Sequence, residues 1–191
     1  AHMEDVLEVY SRPYHEKRPV VCMDEKPFQL LDECIEPIPM SKNNHIEKYD
    51  CEYERKGSCS IFMFTEPLAG WREAHALPRR TAIDWASQIK WLIDEAYPQA
   101  EKIVLVMDNL NTHTIASLYK AFPPSEAYRL AQKLEIHYTP KHGSWLDMAE
   151  IELSALTIQC LLGVRIPSVD DLNVILSTWH RTRNSAQKGI S

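Results

Sequence analysis

Three carboxylates stand in settings suited to chemistry. Asp24 closes the run Val-Val-Cys-Met, Asp108 closes Ile-Val-Leu-Val-Met, and Glu150 lies in Trp-Leu-Asp-Met-Ala-Glu-Ile-Glu. The first two runs have the short apolar character of buried strands, so each aspartate emerges at the rim of a sheet. The third acid opens an amphipathic stretch that reads as a helix. Oxygen ligands from two strand ends and one helix suit hard cations such as Mg²⁺, and a pair of such ions is the usual machinery for attack on a phosphodiester. Asp108 carries most of the weight, because burying a carboxylate at the exit of five apolar residues is costly unless a metal or hydrogen bonds compensate. Asp24 alone reads more readily as a strand-end acid in a turn or surface pair, since surface acids are common.

Each acid has neighbours that fit the same site. Asn109-Leu-Asn-Thr-His113 follows Asp108 directly. Its Asn and Thr residues are also natural caps for a following helix, and His113 serves either as a contact to phosphate or water or as a packing residue. The basic, glycine-bearing stretch Thr139-Pro-Lys-His-Gly-Ser144 leads into the Glu150 helix. Lys141 and His142 are therefore candidate phosphate contacts, and Lys26 joins them. Ser144 is a credible N-cap with Asp147 at the third helical position. Asp147 and Glu150 share one face of the helix, Leu146, Ala149, Leu153 and Leu156 form its core stripe, and Glu152 falls on a solvated side. Asp147, His113 and Asn109 are thus accessory candidates.

The elements that would position these residues follow from pattern. Residues 4 to 18 are polar and broken by Pro13 and Pro19, a lead-in arm. Val20 to Asp24 and Phe28 to Leu31 read as strands separated by a turn at Lys26-Pro27, and residues 36 to 58 as a long exposed excursion. Cys59 to Phe64 and Trp71 to Leu77 complete an antiparallel meander. Thr81 to Tyr97 is the clearest helix, with Asp84 as capping-box partner of Thr81 and Pro98 as its stop. Lys102 to Met107 lacks alternation and reads as a strand covered on both faces. Short helices over 114 to 121 and 125 to 133, a strand over Leu134 to Tyr138, and helices over Ser144 to Leu162 and Ser168 to Thr182 complete the chain. Strands first, then helices alternating with strands, predict an α/β ribonuclease H-like fold: a mixed five-stranded sheet with helices on both faces. A doubly wound fold would need regular alternation from the start.

Composition bounds the reading. The 191 residues are 45% hydrophobic, enough for one continuous core. No signal peptide is apparent and no apolar run approaches the roughly 20 residues that span a bilayer, which points to a soluble, intracellular protein without a membrane partner. Five scattered cysteines without Cys-x-x-Cys spacing argue against a zinc site or disulfide framework. The net charge of −6 predicts weak DNA binding by this chain alone. The opening Ala-His-Met has the look of a cloning scar, and both ends suggest an excised domain: residues 1–18 as scar and arm, residues 19–191 as the catalytic domain.

The segments Val21-Cys-Met-Asp-Glu-Lys-Pro27, Val104-Leu-Val-Met-Asp-Asn-Leu-Asn-Thr-His113 and His137-Tyr-Thr-Pro-Lys-His-Gly-Ser-Trp-Leu-Asp-Met-Ala-Glu-Ile-Glu152 closely resemble bacterial insertion-sequence transposases of the mariner superfamily (the insertion sequence 630 family). The resemblance covers about residues 18 to 182. It implies a ribonuclease H-like catalytic domain whose Asp-Asp-Glu triad is Asp24, Asp108 and Glu150. It also implies two Mg²⁺ ions, with Mn²⁺ as a substitute, and cleavage and strand transfer of double-stranded DNA at transposon ends and target. A homodimeric active complex, a bacterial cytoplasmic setting at the nucleoid, and N-terminal helix-turn-helix modules missing from this chain follow from the same resemblance. Forty-one residues lie between Asp108 and Glu150, with Pro123 to Lys133 as an inserted helical segment. Asp147 stands where the family pattern has Asn. A ribonuclease H-like nuclease without strand transfer and a catalytically silent DNA-binding remnant are the alternatives.

Overall fold

A computed structural model describes residues 2–34, 52–141 and 143–186. The helices are α1 (His2–Tyr10), α2 (Ala82–Trp91), α3 (Ile115–Ala121), α4 (Pro124–Gln132), α5 (Met148–Leu156) and α6 (Val169–Ser185). The strands are β1 (Val20–Glu33), β2 (Tyr53–Glu66), β3 (Trp71–Leu77), β4 (Ile103–Met107) and β5 (Leu134–Tyr138). They form one mixed sheet in the order β3-β2-β1-β4-β5, antiparallel from β1 to β3 and parallel from β1 through β4 to β5. This is the ribonuclease H-like arrangement that the element order predicts.

Alternation along the strands divides the core in two. Val21, Met23, Phe62, Phe64, Leu105 and Met107 pack on one face against Trp85 and Ile89 of α2, Leu118 of α3 and Leu130 of α4. Cys22, Met63, Val104 and Val106 face the other way, against Val6 and Val9 of α1, Leu153 of α5 and Leu176 of α6. All five residues of β4 are buried, as its unbroken apolar run implies. The capping box of α2 forms as expected, with Thr81 accepting from Asp84 N and Asp84 accepting from Thr81 N.

Four readings need correction. No turn occurs at Lys26-Pro27: β1 runs straight through, with Pro27 opposite Ser60 of β2. The Pro19 carbonyl accepts from Val104 N, so strand alternation points the Pro27 nitrogen to that same side. There β4 has already ended opposite Met23, and no ladder bond is lost. Residues 53–58 of the supposed excursion belong to β2; residues 36–51 lie outside the described ones. The polar arm is helical from His2 to Tyr10, because Val6 and Val9 stand on one face and are fully buried. Finally, Glu152 is buried, not solvated: its carboxylate lies 3.2 Å from Arg72 of β3 and 3.3 Å from Arg183 of α6.

The outer edge of β3 is closed by side chains. Asn173 of α6 donates to the Ala76 carbonyl and accepts from Ala76 N, while Asn184 does the same at Arg72. His180 Nδ1 accepts from Ala74 N at 3.4 Å between them. One helix face thereby substitutes for a sixth strand and protects an otherwise open ladder. Among the described residues, no helix is long and apolar enough to cross a membrane.

Candidate active site

Parallel pairing of β1 with β4 ends at Met23 opposite Met107. Asp24 and Asp108 are the next residues on these neighbouring strands, at the carboxyl end of the parallel part of the sheet. Asp24 belongs to the α5 face, and Asp24 Oδ1 accepts from its neighbour's backbone, Glu25 N, at 2.7 Å. Burial first, then the nearby charges of Asp108, Glu150 and Glu25, push the Asp24 carboxyl up to about 6, although the Glu25 N–H opposes this. Asp24, Asp108 and Glu150 thus belong to one field of negative charge.

The loop after β5 builds the other wall. Gly143 N donates to the Pro140 carbonyl at 2.8 Å, and a Cβ on Gly143 would stand 2.4 Å from Pro140 Cγ, so glycine is required for this close approach. A short 3₁₀ turn over Ser144–Leu146 follows, and Asp147, rather than Ser144, caps α5 by accepting from Ala149 N at 2.9 Å. Ser144 stands too early to cap, because the 3₁₀ turn comes between it and α5. Buried Ala149, Leu153 and Leu156 then hold α5 against the sheet, and Glu150 emerges from its first turn. Asp147 is almost wholly buried, with Oδ2 lacking a hydrogen bond among the described residues, and desolvation, reinforced by Asp24, Asp108 and Glu150, raises its carboxyl well above the usual range.

A cleft of about 490 Å³ opens beside these acids, lined by Asp108, Asn109, Leu110, Thr139, Pro140 and Lys141, with His2 at its margin. Asn109 and Lys141 are exposed there. Lys26 is elsewhere: its ammonium donates to Thr157 Oγ1 at 2.6 Å, beyond the end of α5. His142 lies outside the described residues.

His113 is fully buried and bridges two acids, with Nδ1 2.6 Å from Asp108 Oδ1 and Nε2 2.9 Å from Glu25 Oε1. Burial lowers its pKa, but the two carboxylates outweigh that and raise it to about 9. Its ring stacks on Trp85, and its carbonyl accepts from Tyr138 Oη at 2.8 Å. Thr114 takes the N-cap position of α3, and among the described residues no side chain of this loop makes the capping hydrogen bond expected of its Asn and Thr residues. Glu25 escaped the sequence reading; the signal available was its place directly after Asp24, which sends it to the opposite face.

An all-carboxylate set fits hard divalent cations by its donor chemistry. Among the described residues, no three His, Cys, Asp or Glu side chains already converge on one point as a preformed cage.

Residues 19–173 match the description of the DDE superfamily endonuclease family. The chain belongs to that family. The fold is shared with solved structures at low identity. The Mos1 strand transfer complex matches with a TM-score of 0.62 at 14% identity over 94% of this chain. The Mos1 mariner paired-end complex with Mn matches at 0.61 and 14% over 98%. A simian T-cell lymphotropic virus intasome, in complex with a PP2A regulatory subunit, matches at 0.54 and 12% over 87%. These matches cover 52%, 55% and 50% of the other chains, so this DDE domain spans about half their length. No curated protein matches in sequence.

Proposed function

We propose that this DDE endonuclease is the catalytic domain of a DNA transposase of the insertion sequence 630 type and of bacterial origin, cutting transposon ends and joining them to target DNA. The observation that carries the reading is the alignment of Asp24 with Asp108 at the end of two parallel strands, with Glu150 in the first turn of α5 near enough for its charge to act on Asp24. Likeness to Mos1 strand-transfer and paired-end complexes supports DNA as the substrate and a paired, homodimeric assembly. N-terminal reading modules belong to the same proposal.

Asp24, Asp108 and Glu150 would hold two Mg²⁺ or Mn²⁺ ions. When bound, the ions supply activation of the attacking oxygen and charge stabilisation at the leaving oxygen. The protein's part is placement. β1 and β4 fix the two aspartates, α5 brings Glu150 across, Asp147 holds the start of α5, and Lys141 and Asn109 line the path of the DNA backbone. Attack by water or a DNA 3′-hydroxyl requires no protein nucleophile.

The test is Mg²⁺-dependent cleavage of transposon-end DNA by the full-length protein, followed by a strand-transfer assay on the cut product. Cleavage and joining, both lost in Asp108→Asn, are expected. Cleavage without joining would favour a nuclease, and neither would leave a silent remnant.

A further inference from the structure

Glu25 and His113 take no direct part in the chemistry just described, yet both are buried and directed at it. The Glu25 side chain is 3% exposed and that of His113 is fully enclosed, whereas Asp108 remains 36% exposed at the cleft. Burying an imidazole and a carboxylate together is costly, and apolar residues of similar volume would pack this site at less expense. Glu25 Oε2 even lacks a hydrogen-bonding partner among the described residues. What the arrangement achieves is orientation. An imidazole held between two carboxylates engages one of them with each ring nitrogen, and so fixes the orientation of both.

The same residue also serves the other strand aspartate. Glu25 N donates to Asp24 Oδ1, and the Glu25 carboxylate, through His113, restrains Asp108 Oδ1. Each strand acid thus has one oxygen tied down, and among the described residues no hydrogen bond holds the other. We propose that Glu25 and His113 are positioning residues, a carboxylate–imidazole clamp that presents Asp108 to a divalent cation through its second oxygen, with Glu25 the common pivot of both strand aspartates. This rests on the reading of Asp108 as a metal ligand. It parallels the partners that orient metal-bound histidines in other proteins, with the roles of imidazole and carboxylate exchanged.

The test is direct Mn²⁺ binding by the DNA-free protein, followed by electron paramagnetic resonance, with the metal-free melting temperature measured alongside. His113→Gln should weaken the tighter Mn²⁺ site by about tenfold or more. Glu25→Gln, which keeps volume and an acceptor and so retains the fold, should weaken it several-fold. The double variant should bind no worse than His113→Gln, because the Glu25 side chain acts through His113. Mn²⁺ affinities within twofold of the parent in Glu25→Gln and His113→Gln, with binding lost in Asp108→Asn, would overturn the clamp while sparing the ligand assignment. Unchanged binding in Asp108→Asn would instead remove the ligand assignment itself.

Discussion

Arg72 Nε and Glu152 Oε2 lie 3.2 Å apart, with each side chain only 2% exposed. The pair joins β3 to α5, the helix that carries Glu150, and Arg183 of α6 adds a second contact to Glu152 at 3.3 Å. Burial favours loss of the Arg72 charge, and Glu152 opposes that loss. Glu152→Ala, which removes the carboxylate facing the buried guanidinium, should reduce stability by about 3–5 kcal/mol in urea denaturation. Replacing Arg72 and Glu152 together by methionine should cost much less, because no buried charge is left alone. Equal losses in the single and double variants would show that the charge pairing is not what matters.

Glu135 of β5 accepts from Arg12 and Arg18, tying the segment after α1 to the sheet. Arg12 foremost, with His137 and Arg18, lowers its carboxyl from 4.5 to about 2. A depressed carboxyl stabilises the fold above its unfolded value, and that contribution disappears as pH falls from about 4.5 to 2. Glu135→Gln should therefore lower the melting temperature at pH 7, by the equivalent of about 1 kcal/mol, and make no difference near pH 2. A difference independent of pH in parallel melts would point to lost packing instead.

Asn173 and Asn184 each make two hydrogen bonds to the open edge of β3. Alanine at either position should cost about 1–3 kcal/mol. The double variant should also associate at concentrations where the parent stays monodisperse, because unpaired strand edges recruit other strands. Light scattering against concentration is the check, and a monodisperse double variant would count against edge protection.

Much of this was legible in the sequence because local signals agreed. The Thr81–Asp84 box, the apolar run of β4 and the Leu146, Ala149, Leu153, Leu156 stripe each specify an element or a buried face without help from distant residues. The failures share a cause: distant residues decided them. Pro27 signals a turn until one knows that β4 stops short of it. Glu152 looks solvated until Arg72 arrives from a strand 80 positions earlier. Residues 4 to 10 look like an arm until Val6 and Val9 find the sheet. The clamp from Glu25 through His113 to Asp108 spans 88 positions, and no local pattern reveals it.

Asp147→Asn separates capping from charge. Asparagine caps a helix as well as aspartate does, so Ala149 N keeps its partner. An acid whose folded pKa is raised destabilises the fold once pH exceeds its ordinary value of 3.8, and the amide removes that burden. The variant should melt higher than the parent at pH 7 in the absence of metal, and the advantage should close as pH approaches 3. A lower melting temperature at pH 7 would mean that the buried charge supports the fold.

The most direct measurement is Mg²⁺-dependent cleavage of transposon-end DNA by full-length Glu150→Gln beside Asp147→Asn. Glu150 lies in the first turn of α5, near enough for its charge to act on Asp24, while Asp147 is committed to Ala149 N. Glu150→Gln should lower the cleavage rate by at least about a thousandfold, equivalent to about 4 kcal/mol, with DNA-end binding unchanged. Asp147→Asn should retain cleavage. Cleavage that survives Glu150→Gln and is lost in Asp147→Asn would contradict the assignment of Glu150 as the third acid.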